Sequence, residues 1–408
     1  MRLRRAATDL LSRPSFYWAL AAVFALRVVV LAIVNSKRPD AEGMWEGAHA
    51  YLTDPAHMYD QAATYLAISH VIAPPGTLSA FVSPPPVAVL ALPIALLPRD
   101  VGVQVWTVLD GVALVAGLFL LYRVIATRHR LAGPVFWLIA AYFPPLFADV
   151  SAGQRGGVAL LAAMGSVWFE SSRPNLAGAL GGLASALKYY PAAMVIGPRP
   201  DHRVRYAVVL GAVLLLVTAV AFIPLGLSGA VFYYQHVLLA SLGSYNVDCG
   251  YDSVRSLFDR VVGGEPYLLP GATAGVVPVT LPWHYPAVAT ALTYASVVAF
   301  AGAAVWGAWR SGWNAPYGMA LGFSLGSLIP SEVWPYQWLP LLPLILLVAV
   351  KAIERRRVGT VVVLAVCLLG FYRPPCDLPF PNLWTVAAVA VFALGVWENR
   401  LFRPVSAA

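Results

Sequence analysis

Three apolar runs, Phe16 to Asn35, Tyr206 to Leu227 and Pro286 to Trp309, constrain this chain more than any other feature. Each is long enough to cross about 30 Å of hydrocarbon as a helix. Backbone polar groups find no water at that depth, so each run must satisfy its own hydrogen bonds and be helical. Composition agrees: 60% of the 408 residues are hydrophobic and 11% are charged. That leaves too little polar surface for a water-soluble globule. The expected fold class is all-α, a polytopic membrane helix bundle with residues 1–408 in a single transmembrane domain. Phe16 to Asn35 is longer than a signal-peptide core, carries Arg27 and has no small-x-small site before Lys37, so it reads as a retained span.

Arginine clusters then orient the bundle. The net charge of +8 does not imply nucleic acid, because the basic residues gather at span ends. Arg2 to Arg13, Arg123 to Arg130, Arg199 to Arg205, Lys351 to Arg357 and Arg400 to Arg403 all belong on the cytoplasmic side by the positive-inside rule. That parity puts both termini inside and two long segments, 36–84 and 228–285, outside. Val87 to Leu97 lies between prolines and is too short to span, so it reads as a re-entrant or interfacial helix before a span over Val101 to Ile125. Leu131 to Ala148 goes out and Gly156 to Phe169 returns, which puts Asp149 to Gln154 at the outer surface. Between Arg173 and Arg199 the preferred reading goes out and back as two half-helices meeting near Lys188, Tyr189, Tyr190 and Pro191; the alternative, one ordinary span, would flip everything downstream and put Lys351 to Arg357 outside. Further spans are expected at about 286–309, 315–330, 337–350, 358–371 and 383–398.

Polar residues capable of chemistry gather at the outer ends. Asp40 and Glu42 follow the first span directly; either is a solvated loop acid or a general base facing a cavity between helices. Lys188, at a helix break inside the bundle, either meets an anionic partner or snorkels to the interface. Arg255 and Arg260 can hold a phosphate bidentately or pair with Asp259 or Asp252. Glu332 is a second functional acid or a cap on the turn after Pro330. Outer aromatics such as Tyr51, Tyr59 and Tyr233 either stack on sugar rings or anchor the interface. His49, His57 and His70 form no metal box, and neither metal nor cofactor is expected. Cys249 and Cys376 fall outside and are candidates for a disulfide, whereas Cys367 is expected to be a buried free thiol.

The order of these features resembles family 87 of the GT-C glycosyltransferases, which includes actinobacterial α-(1→2)-mannosyltransferases of lipoglycan assembly. The matching pieces are Asp40, Tyr59, Phe81 to Pro85, Gly153-Gln154, and Ala177-Gly178 through Lys188 to Pro191. The stretch Tyr251 to Arg260 is similar to a further family element, with Ser253 and Arg260 kept. The resemblance implies a GT-C bundle with juxtamembrane and re-entrant helices and an inverting transferase. Its donor would be a polyprenyl-phosphate sugar, mannose first among the candidates, and its acceptor a glycolipid or lipoglycan. Reaction would take place on the outer face of the cytoplasmic membrane. Asp40 would be the general base; Lys188, Arg255 and Arg260 would meet the donor phosphate; Tyr59, Gln154, Tyr189, Glu332, Trp334, Tyr336 and Gln337 would bind substrate.

One departure bears on the donor. Tyr336-Gln337 stands where the family commonly has two histidines. Tyrosine and glutamine hydrogen-bond but carry no imidazolium charge. A polyprenyl-phosphate-arabinose-dependent arabinofuranosyltransferase is therefore a second candidate. From another class, a lipid or sugar transporter (flippase) is the rival, although no internal repeat appears and the acids gather at the outer surface rather than at mid-depth.

Overall fold

The computed structural model describes residues 13–34, 38–60, 62–63, 81–125, 129, 131–240, 252–265, 267–270, 276–279, 282–330, 333–372 and 382–403. The chain is an all-α, polytopic membrane helix bundle. Among the described residues, five helical stretches are long and apolar enough to cross a membrane, and up to seven if each bent pair counts as one span. Among the described residues one short antiparallel ribbon, β1 (Tyr267–Pro270) with β2 (Val276–Val279), lies in the segment expected outside; the sequence reading had no strand there.

The first half builds the site. Helix α1 (Pro14–Val34) is followed by α2 (Pro39–Thr53), which begins earlier than the expected amphipathic stretch at Gly47. Pro39 opens α2 where a missing N–H has no consequence. Asp40 and Glu42 therefore lie in its first turn, where negative charge meets the positive end of the helix, and not in a loop. Helix α3 (Pro85–Ala95) has only 11 residues, and most of them are buried against α2 and its neighbours. Gly47 permits this contact, because a Cβ there would sit 2.2 Å from the Phe81 ring. The first long span, α4 (Arg99–Ile125), follows directly.

Helices α5 (Ala132–Tyr142) and α6 (Pro144–Ala152) form one apolar stretch bent by 46° at Phe143. Pro144 and Pro145 cause the bend, since Pro145 has no N–H to give the Ala141 carbonyl. Arg27, from the middle of α1, supplies that donor: its Nη1 lies 2.8 Å from Ala141 O, with the guanidinium 3.8 Å from the Phe147 ring centroid. An arginine inside a span is thus accounted for by a vacant carbonyl. The bend carries Asp149 inward, so this residue, expected at the outer surface, is fully buried.

Helix α7 (Gly156–Phe169) and α8 (Pro174–Leu187) turn back through the bundle, and α8 lies along α9 (Pro200–Phe222). Gly178 and Gly182 let the two backbones touch: a Cβ on either would fall 2.8 or 2.7 Å from the Tyr206 or Leu210 carbonyl oxygen. Helix α8 stops at Leu187, Lys188 is extended, and a 3-10 turn over Tyr190–Ile196 docks on α13 (Ala315–Leu328). The break near Lys188 therefore lies where Pro191 and the charged residue suggest.

Two short helices follow, α10 (Gly226–Phe232) and α11 (Val254–Phe258), in or at the edge of the segment expected outside. Beyond it come α12 (Pro286–Arg310), α13, a 3-10 turn over Pro335–Leu341 leading into α14 (Leu342–Glu354), α15 (Val358–Gly370) and α16 (Leu383–Trp397). The apolar core falls into two clusters. The larger runs through the spans; the smaller joins α2, α3, Tyr59, Phe81 and Tyr233 beside them. Cys367 is a free thiol, half-buried rather than buried. Cys249, Cys376 and His70 lie outside the described residues.

Candidate active site

Asp40 anchors a polar cluster at the junction of α2, α4, α6, α7 and α8. The Gln154 side-chain amide donates a hydrogen bond to its carboxylate, and Arg155 and Lys188 add positive charge nearby. Burial is the stronger influence and pushes the Asp40 carboxyl above the usual range, while those three neighbours pull it back.

The turn that delivers Gln154 is tightly specified. Gly153 caps α6 with φ +67°, a left-handed conformation that favours glycine. A Cβ there would also lie 2.5 Å from the Ala41 Cβ, next to Asp40. From α4, Trp106 Nε1 donates to both Gly153 O (3.2 Å) and Gln154 O (3.0 Å). The glutamine that addresses Asp40 is therefore pinned between α2 and a transmembrane helix.

Below it lie charged residues that sequence reasoning missed. Asp149 Oδ1 sits 3.8 Å from Lys188 Nζ, with both side chains nearly removed from solvent. Asp110, buried in α4, accepts from Val158 N at 2.9 Å and so caps α7 from another helix. Gly156 and Gly157 make room for both carboxylates: Asp149 Oδ1 would lie 2.2 Å from a Cβ on Gly156, and Asp110 Oδ2 2.9 Å from one on Gly157. Arg155 Nε donates to Leu187 O at 2.9 Å, joining this turn to the residue before Lys188. A usable signal for Asp110 existed, since an acid well inside the Arg99–Ile125 span, past Asp100 in its first turn, marks a functional position by default. Arg155 follows Gly153-Gln154 directly, so that pair could have led to it.

An aromatic wall closes another side. Tyr59 OH donates to Ser83 O at 2.7 Å, its ring stacks on Phe81, and Tyr233 lies 4.8 Å away by ring centroid. The Tyr189 and Tyr233 hydroxyls share a 3.1 Å hydrogen bond. Tyr336 reaches the cluster from the far half of the chain, with its ring centroid 5.6 Å from Lys188 Nζ and its plane stacked on Trp334. Gln337 Oε1 accepts from Trp334 N at 2.6 Å, which folds this turn. The structure thus brings together Asp40, Tyr59, Gln154, Lys188, Tyr189 and Tyr336, with Trp334 and Gln337 one step back.

Arg255 and Arg260 belong to a separate network. Arg260 is buried and lies 3.6 Å from Asp252 Oδ1, and Asn382 Nδ2 reaches Ser256 Oγ at 3.2 Å. Arg255 Nε is 3.3 Å from Asp259 Oδ2. Asp252 N donates to Val333 O, beside Trp334, so this network adjoins the site. Glu332 lies outside the described residues.

The sequence profile of glycosyltransferase family 87 matches residues 81–330, more than half of the chain. The chain belongs to glycosyltransferase family 87. It is accordingly a transferase that moves a sugar from a donor to an acceptor, built as a multi-pass membrane protein. Neither the curated proteins nor the solved structures compared with it give a match. Phe81 to Pro85, Gly153-Gln154 and Lys188 fall within the matched stretch, whereas Asp40, Tyr59 and Tyr336 lie outside it.

Proposed function

We propose that this transferase moves a sugar, mannose first among the candidates, from polyprenyl phosphate to a glycolipid or lipoglycan hydroxyl with inversion at the anomeric carbon. The observation that supports it best is Asp40: a partly buried acid of raised pKa, hydrogen-bonded by Gln154, with Arg155 and Lys188 nearby. A carboxyl poised nearer to neutrality is a more effective base for a sugar hydroxyl than a solvated one. The acceptor O–H gives its proton to Asp40 as the acceptor oxygen bonds to the anomeric carbon. The bond from that carbon to the phosphate oxygen breaks, and its electron pair leaves with the lipid phosphate. Lys188 belongs on the side that receives this charge, and the hydroxyls of Tyr59, Tyr189 and Tyr336 are suited to bind sugar. Arg255 and Arg260 are proposed to support the donor side from the adjoining exterior network.

A juxtamembrane site suits a donor whose lipid tail stays in the bilayer. Basic span ends favour cytoplasmic termini and an outer site. The test incubates purified chain and an Asp40→Ala variant with polyprenyl-phosphate mannose and, separately, polyprenyl-phosphate arabinose. Mannose transfer that is lost in the variant supports the reading. Transfer surviving the substitution removes Asp40 as base, and transfer of arabinose alone reassigns the donor, an outcome that Tyr336-Gln337 in place of a histidine pair makes specific.

A further inference from the structure

The cations around the site differ in what already holds them. Arg99 pairs with Glu42 and Glu46, Arg255 with Asp259, Arg260 with Asp252, and Lys188 with Asp149. Arg38 donates to Gln104 Oε1 and to Ile33 O. Arg155 is unlike them. Among the described residues its side chain makes one hydrogen bond, from Nε to Leu187 O, and no carboxylate lies within ion-pair distance. Its charge is nevertheless felt by Asp40, Tyr59, Tyr189 and Tyr233 at once, which places it centrally among them. A half-buried guanidinium whose Nε is anchored keeps its two outer nitrogens as a planar fork, the geometry that matches phosphate oxygens in pairs.

Resting on the donor class proposed above, we propose that Arg155 binds the phosphate of the lipid-linked donor and receives its added charge as the sugar leaves. Lys188 stands beside it and is held in place by Asp149. In the donor the phosphate is a diester carrying one negative charge. When the bond to the anomeric carbon breaks, the phosphate keeps the electron pair and becomes a monoester carrying up to two. The proton lost by the acceptor is on Asp40, so no other reactant is needed. A lysine already shared with a buried carboxylate offers that second charge only part of its field. Arg155, which acts on Asp40 and Asp149 from a distance but pairs directly with no carboxylate, offers more of it, in a bidentate form. Consecutive residues then serve opposite ends of the displacement: Gln154 holds the base and Arg155 the leaving group, both fixed by the turn that Gly153 and Trp106 set.

The test uses the full chain in nanodiscs with farnesyl phosphate as probe and farnesol as its uncharged control. Arg155→Gln, which keeps a donor for Leu187 O, should weaken farnesyl phosphate binding at least about tenfold while leaving farnesol binding unchanged, and Arg155→Lys should fall between. In wild-type protein, phenylglyoxal labelling at Arg155 mapped by mass spectrometry should be slowed by farnesyl phosphate and not by farnesol. This second measurement stands even if the variants fold poorly. Farnesyl phosphate bound by Arg155→Gln as tightly as by wild type, or labelling without protection, overturns the proposal. Asp40→Asn separates the two readings: it should slow transfer by about 10²–10⁴-fold while farnesyl phosphate still binds and still protects Arg155. Protection at Arg155 in a protein that moves no sugar from any polyprenyl phosphate would sustain the phosphate site and sink the donor assignment alone.

Discussion

Lys188 Nζ and Asp149 Oδ1 face each other 3.8 Å apart in a part of the bundle that solvent barely reaches. Removing one member of such a pair strands the other charge. Asp149→Asn should therefore lower stability by about 3–5 kcal/mol. Asp110→Asn should be far milder, because an amide oxygen still accepts from Val158 N. Thermal unfolding of both variants in detergent checks the order, and equal losses would show that Asp149 is not the counter-charge of Lys188.

As the proposed base, Asp40 should set the acid limb of the rate profile. A base must be ionised, so activity falls as pH drops through its pKa. Because burial raises that pKa, the limb should lie above the ordinary aspartate value of about 3.9. Gln154→Leu removes the hydrogen bond that favours the charged form, so the limb should move to still higher pH. Asp40→Asn should lower kcat by about 10²–10⁴-fold. Profiles of kcat/KM for wild type and Gln154→Leu decide this, and a limb that moves to lower pH refutes it.

Gly153 should tolerate no side chain. Alanine meets both an unfavourable backbone conformation at φ +67° and the Ala41 Cβ at 2.5 Å. The left-handed conformation alone is worth about 1–2 kcal/mol for a residue with a Cβ. Because relief of the clash would shift the first turn of α2, Gly153→Ala should reduce kcat more than its loss of stability explains. Comparing turnover with the fraction folded at one temperature tests this.

Arg255 and Arg260 should respond unequally. Arg260→Ala leaves Asp252 buried without its cation, and a loss of about 3–5 kcal/mol is expected. Arg255→Ala breaks a partly exposed pair, for which about 0–1 kcal/mol is usual. Any change it makes in KM for the donor can then be read as a binding effect. Melting curves of the two variants, with donor KM for Arg255→Ala, provide the check.

What the sequence made legible follows from range. Long apolar runs state their own secondary structure, and prolines at 84–86 and 191 state where helices must start or stop. The all-helical bundle, the short α3 and the break at Lys188 were readable for that reason. Asp40 stood out because it follows a span. Asp110 and Asp149 did not, since each looks like an isolated polar residue until helices from different parts of the chain bring them together around Lys188. Arg155 was hidden in the same way: only Leu187 and Lys188, a helix away, show what holds it and what it stands beside. The start of α2 at Pro39 was missed because Gly43 and Gly47 weaken the helical signal, and the Phe81 ring that requires Gly47 lies far along the chain.

Helix α4 has 27 residues, about 40 Å at 1.5 Å per residue, and so exceeds a hydrocarbon slab of about 30 Å. A helix of that length must lean or protrude, and its lean follows the thickness of the surrounding lipid. Trp106, near its N-terminal end, grips the backbone on both sides of the turn that aims Gln154 at Asp40. A change in that lean would pull on the turn that holds Gln154 against Asp40, the proposed base. Lipids with longer or shorter acyl chains should retune turnover without touching a single substrate contact.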